Sequence, residues 1–169
     1  MLPKLIITDI DGVWTDGGMY YDEQGNEFKK FNTSDSAGIL FLHELNIPVA
    51  IITGEHSQAA QRRGLKLKVD YILIGIQHKL REANQLCEKL GITLQDVAFI
   101  GDDLGDMKLL QKVGFSAAPA NAPDYVKRHV HWIGQKRGGE GAFREFVEYL
   151  LNQNQLLESV LEKVLDKLK

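Results

Sequence analysis

The tightest constraint on this chain lies near its start, in Leu5-Ile6-Ile7-Thr8-Asp9-Ile10-Asp11-Gly12. An apolar run without polar alternation reads as a strand buried on both faces, as in a parallel sheet. It delivers two carboxylates, Asp9 and Asp11, at its end. Side chains two apart on a strand point the same way, so both acids face one site. Gly12 lets the backbone come close to whatever sits there. Carboxylates this near repel unless positive charge lies between them, which argues for a divalent cation. The carboxyl end of a strand is where α/β proteins bind ligands.

The rest of the chain supplies partners for that strand. Apolar runs at 48–52, 69–74 and 97–100 read as further strands, with a short edge strand at 114–117 and one more at 130–133. Between them lie a helix capped by Thr33-Ser34-Asp35, helices at 57–67, 79–90 (closed by Gly91) and 107–113, and a helical turn at 123–128. Strands alternating with helices predict a doubly wound parallel sheet. Aromatic segments around Gly25-Asn26 predict a β-hairpin over 18–32. Residues 142–169 read as mostly helical, with Val147, Leu150, Asn154, Leu157, Leu161, Val164 and Leu168 at spacings of three and four. That stripe suits packing on its own domain or against another chain. The expected organisation is a core over 1–150, hairpin included, with 151–169 as a helical extension of the same domain.

Composition narrows the class. Of 169 residues, 44% are hydrophobic and 25% charged, as in ordinary soluble domains. A net charge of −3 with no basic face speaks against nucleic-acid binding. Cys87 is alone, so no internal disulfide forms, and its place beside Leu86 and Leu90 predicts a buried thiol. Neither a signal peptide nor a membrane-length apolar run is evident, and the expectation is a soluble, cytoplasmic protein.

Four strand ends thus carry polar residues: Asp9 and Asp11, Thr53-Gly54, Lys79, and Asp102-Asp103 with Asp106. That set suits phosphoryl transfer to a carboxylate. One acid attacks phosphorus and a second moves the leaving-group proton. A hydroxyl and a lysine hold phosphoryl oxygens, and an all-oxygen donor set favours Mg²⁺. A phosphoacceptor receiver domain is the nearest alternative of similar size. Its first-strand acids are adjacent rather than two apart, which argues against it.

The four segments, in order and spacing, resemble the motifs of the haloacid dehalogenase-like superfamily. The resemblance implies Asp9 as nucleophile and Asp11 as general acid/base, with Thr53, Gly54 and Lys79 binding phosphate. It implies Mg²⁺ held by Asp9, the Asp11 carbonyl and Asp102, with Asp103 and Asp106 in support. The intervals between motifs have no room for a cap domain. Asn32 to Ile39, Ala122 to Val126 and Arg137 to Glu145 further resemble the capless phosphatases of 2-keto-3-deoxy sugar-acid phosphates. That resemblance implies a homotetramer whose subunits complete each other's sites, with Thr33, Ser34, Asp35, Glu55, Arg63, Lys66 and Arg137 contacting substrate. The octulosonate (KDO) branch typically has arginine where this chain has Glu55. A glutamate held by Arg63 and Lys66 resembles the branch cleaving 2-keto-3-deoxy-D-glycero-D-galacto-nononate (KDN) 9-phosphate, with KDO 8-phosphate as the alternative. A catalytically silent assembly domain, as found fused to sialic acid cytidylyltransferases, is the non-enzymatic alternative.

Overall fold

The computed structural model describes residues 2–167. After β1 (Leu5–Thr8), a small hairpin of β2 (Tyr20–Tyr21) and β3 (Glu27–Phe28) leaves the core. The chain returns through α1 (Asp35–Glu44), β4 (Val49–Ile52), α2 (Gln58–Lys66), β5 (Tyr71–Leu73), α3 (Lys79–Leu90) and β6 (Val97–Ile100). It continues through α4 (Met107–Leu110), β7 (Phe115–Ala118), α5 (Asp124–Lys127), β8 (Trp132–Ile133), α6 (Ala142–Gln153) and α7 (Leu157–Lys167). The main sheet runs β5-β4-β1-β6-β7-β8, and every pairing in it is parallel.

Strand alternation explains the two cores. Ile6, Val49, Ile51, Ala98 and Ile100 face one side, where Ile39, Leu42, Phe143, Phe146, Val147 and Val160 cover them. Leu5, Ile7, Ala50, Ile52, Val97 and Phe99 face the other, under Ala83, Leu86, Cys87, Leu109 and Val126. Cys87 is buried there as expected, and burial pushes its thiol up. The chain winds outward from β1 to β5, then crosses to β6 on β1's other side. That reversal opens a crevice at the carboxyl end of β1, which positions the site.

Four expectations are corrected. β7 is interior rather than an edge strand, because β8 pairs with it. α4 is a single turn, introduced by a 3₁₀ turn over Leu104–Asp106. Ser34 makes no side-chain cap on α1; instead Asp35, fully buried, accepts the backbone N–H of Arg144 in the first turn of α6 at 3.0 Å. The C-terminal stripe is interrupted at Gln155, whose φ of 56° is left-handed. There Leu156 N–H bonds back to the Leu151 carbonyl, ending α6. α7 then turns onto α1, burying Val160 and Val164 and pairing Lys167 with Glu44 at 2.5 Å. The helix therefore lies on its own domain over the described residues; Leu168 falls outside them.

Candidate active site

A cleft of about 410 Å³ opens over the carboxyl ends of β1, β4 and β6 and the start of α3, lined by Asp9, Asp11, Thr53, Gly54, Glu55, Lys79, Asp102, Asp103 and Asp106, among others. Four separate strand ends thus meet, as their sequence positions predict. Lys79, itself buried, is the hub. Its Nζ lies 2.8 Å from Asp9 Oδ1 and 2.6 Å from Asp106 Oδ1. Asp106 turns its other oxygen to the backbone N–H of Asp102 at 2.9 Å and of Asp103 at 3.2 Å, which locks the loop after β6. Asp103 stands at the rim, accepting a hydrogen bond from the Tyr125 hydroxyl at 3.1 Å.

Charge is out of balance here. Oxygens of Asp9, Asp102 and Asp106 lie within 4.8 Å of one another, with Lys79 between two of them. Burial first, then the neighbouring Asp106, pushes the Asp9 carboxyl up to about 7, against the pull of Lys79. Burial and the charges of Asp9, Asp106 and Asp103 push Asp102 to about 8. One ammonium cannot neutralise three clustered carboxylates, and a divalent cation among them fits the donor set. The Asp102 carboxylate sits so close under Gly12 that a Cβ there would fall 1.9 Å from Asp102 Oδ2.

Asp11 is placed differently. Its carboxylate is outside that triple and only partly covered. Oδ1 accepts from Lys29 Nζ at 2.6 Å and, weakly, from Thr15 Oγ1 at 3.4 Å, while Oδ2 is buried without a partner among the described residues. Lys29 also meets Glu27 at 3.0 Å, and its side chain has no exposed surface. Burial opposes its charge, but the hydrogen bonds it donates to Asp11 and Glu27 outweigh burial and hold its ammonium above the usual range. The loop after Asp11 is clasped from below. Asn121 Nδ2 donates to the Gly12 carbonyl at 3.0 Å, and its Oδ1 accepts from Gly138 N–H at 2.6 Å.

Residues 75–145 match the haloacid dehalogenase-like hydrolase family. Over 148 residues, 88% of this chain and 82% of the relative, the chain is 38% identical to 3-deoxy-D-manno-octulosonate 8-phosphate phosphatase of Haemophilus influenzae. The chain belongs to the haloacid dehalogenase-like hydrolases. Among solved structures of this hydrolase family, it is similar to the octulosonate 8-phosphate phosphatase of Moraxella catarrhalis in complex with magnesium, phosphate and KDO. The TM-score is 0.92 at 34% identity, over 96% of this chain and 93% of that one. The Yersinia pestis octulosonate 8-phosphate phosphatase gives 0.89 at 36% identity, over 92% and 84%. This hydrolase is an enzyme of the phosphoric monoester class, built on the doubly wound sheet without a cap domain. No helix among its described residues is long and apolar enough to cross a membrane.

The other residues singled out from the sequence stand away from the cleft of the single chain. Glu55 lies on its rim, but neither Arg63 nor Lys66 pairs with it. α2 carries Arg63 roughly 9 Å along its axis from Ser57, where Nη2 donates to the Asn32 carbonyl at 3.2 Å and the guanidinium overlies Phe31. Lys66 is exposed one turn further on. Thr33 is exposed, Ser34 Oγ is buried against Gly141, and burial pushes Asp35 up to about 6 despite the Arg144 N–H and Arg63. Arg137 is exposed, beside glycines pressed against the Gly12 to Asp16 loop. Lys29, Thr15 and Asn121 were not legible as site residues. For Lys29 a signal existed: residues two apart in an extended hairpin arm share a side, and Glu27 and Lys29 are such a pair.

Proposed function

We propose that the chain is a Mg²⁺-dependent, cytoplasmic phosphatase that removes the terminal phosphate of a 2-keto-3-deoxy sugar acid through an aspartyl-phosphate intermediate. The observation that carries this reading is the buried Asp9–Lys79–Asp106 network facing Asp102 across one cleft. An Asp9 oxygen forms a bond to phosphorus as the ester oxygen leaves, and Asp11 protonates that oxygen. Asp11 then takes a proton from the water that attacks the acyl phosphate, restoring both acids. Thr53, the Gly54 N–H and Lys79 hold the non-reacting oxygens. Asp9, the Asp11 carbonyl and Asp102 would hold Mg²⁺, which neutralises charge on the transferring group; Asp103 and Asp106 support that shell. The magnesium and phosphate in the Moraxella relative support the same assignment.

Cation binding here must displace protons. With Asp102 near 8 and Asp9 near 7 in the bare cleft, protons occupy part of the site at neutral pH, and Mg²⁺ competes with them. Affinity for Mg²⁺ is therefore expected to climb as pH rises toward about 8 and to fall below 7. Calorimetry at pH 7 in two buffers of different ionisation enthalpy should show proton release on binding. Binding without proton release would contradict the clustered-carboxylate account.

For the substrate we favour the nononate 9-phosphate, because Glu55 stands on the cleft rim as an acceptor for sugar hydroxyls. The second reading is the octulosonate 8-phosphate, which the named relatives cleave. Side-by-side kcat/KM values with Mg²⁺ are expected to favour the nononate by roughly tenfold or more; the reverse preference would remove Glu55 as a selector. Assembly as a homotetramer is part of the proposal. It is supported by the open cleft and by exposed Met19, Tyr20, Tyr21 and Phe28 on the hairpin; Thr33, Arg63, Lys66 and Arg137 would then act at a neighbour's cleft, while Asp35 and the Ser34 hydroxyl, buried in their own chain, would support that segment from beneath.

A further inference from the structure

The hairpin does more than project apolar side chains. It sends one lysine back toward the core, and that lysine grips the carboxylate assigned to proton transfer. Asp11 has little to hold it without Lys29. Its nearest protein donor besides Lys29 is Thr15, at a weak 3.4 Å, and its carboxylate lies outside the Asp9–Lys79–Asp106 network. Lys29 supplies what is missing, a 2.6 Å charge-assisted bond to Oδ1 alone. Its ammonium is itself fixed by Glu27 at 3.0 Å. With Oδ1 pledged, Oδ2 is the oxygen left buried and unpartnered.

We propose that Lys29 is a positioning residue for the proton-transfer step: it fixes the rotamer of Asp11 so that the carboxyl stays in line with the departing oxygen of the ester. This rests on the phosphatase reading above. A carboxylate free to rotate spends most of its time off line, and misplacement by about 1 Å costs on the order of 10²-fold in rate. An ion pair that merely tied the hairpin to the core would have no such link to chemistry. The two roles differ in how their loss depends on the leaving group. An alkoxide must be protonated as it leaves, whereas p-nitrophenolate departs without help.

The test compares kcat/KM, which reports steps only up to departure of the leaving group, for two esters. One is whichever sugar-acid phosphate the unaltered enzyme prefers, and the other is p-nitrophenyl phosphate. Lys29→Met is expected to lower the sugar-phosphate value by on the order of 10²-fold and the p-nitrophenyl value by less than about threefold. Lys29→Arg, which keeps charge and reach, should recover most of the loss. Lys29→Gln serves in place of the methionine variant if that one does not fold. Equal losses on both esters, or no loss on either, would overturn the positioning role while leaving the phosphatase reading intact. Absence of turnover of both esters by the unaltered enzyme would overturn the two together.

Discussion

Asp9→Asn is expected to remove turnover, by roughly 10⁴ to 10⁶ in kcat, without loosening the fold. The amide keeps the shape of the carboxylate but cannot form the acyl phosphate. Its effect on stability runs opposite to its effect on activity. In the metal-free enzyme Asp9 is buried beside Asp102 and Asp106, and its carboxyl is raised to about 7 because ionising it there is unfavourable. Replacing it with a neutral group relieves that repulsion, and Lys79 keeps Asp106 at 2.6 Å. Without Mg²⁺, the melting temperature of the variant should equal or exceed that of the unaltered chain near pH 8. With saturating Mg²⁺ the order should reverse, because the variant has lost a cation ligand. A variant retaining more than about one per cent of turnover would move the nucleophile elsewhere.

Gly12→Ala should be nearly as damaging, through geometry alone. Gly12 has φ of 78°, a left-handed conformation that costs a non-glycine residue about 1–2 kcal/mol. The larger problem is space, since the new methyl would lie 1.9 Å from Asp102 Oδ2 and 2.5 Å from its Cγ. The carboxylate must rotate away, taking with it one of the three acids of the cluster. Mg²⁺ affinity is expected to fall by at least about 10–100-fold, the range seen when merely supporting groups are lost, and kcat with it. Titrating Mg²⁺ against melting temperature separates the two effects: strain lowers the metal-free value, and the lost ligand flattens the rise. Unchanged Mg²⁺ affinity would show that Asp102 is not a ligand.

The parts of this molecule legible in the sequence are those set by short-range rules. Leu5–Thr8, Val49–Ile52 and Val97–Ile100 announce themselves as doubly buried strands because they do not alternate. Parallel topology then carries their polar ends to one edge, which is why Asp9, Thr53, Lys79 and Asp102 meet. What escaped depends on where a long side chain lands. Asp35 opens α1, where a cap is expected, yet a distant helix captures its carboxylate through Arg144 N–H. Arg63 lies on the helix that begins just after Glu55, but helical rise takes it to Asn32 instead. Gln155 interrupts a continuous heptad stripe because Val160 and Val164 reach α1 only if the chain turns. Lys29 is the instructive omission: its alternation with Glu27 was visible, and its target was not.

The Asn121–Gly138 clasp has a consequence for how the enzyme is made. Asp9 and Asp11 leave the ribosome well before Asn121, yet the carbonyl of Gly12 finds its donor only when Asn121 has been synthesised, and Asn121 is itself secured by Gly138 N–H. β1 likewise waits for β6 to form its second edge. A nascent chain arrested before residue 121 would carry every acid, the threonine and the lysine of the cleft and still lack the brace beneath the loop that follows Asp11. The catalytic centre is thus a late event in biosynthesis, completed by glycine and amide groups that take no part in the chemistry.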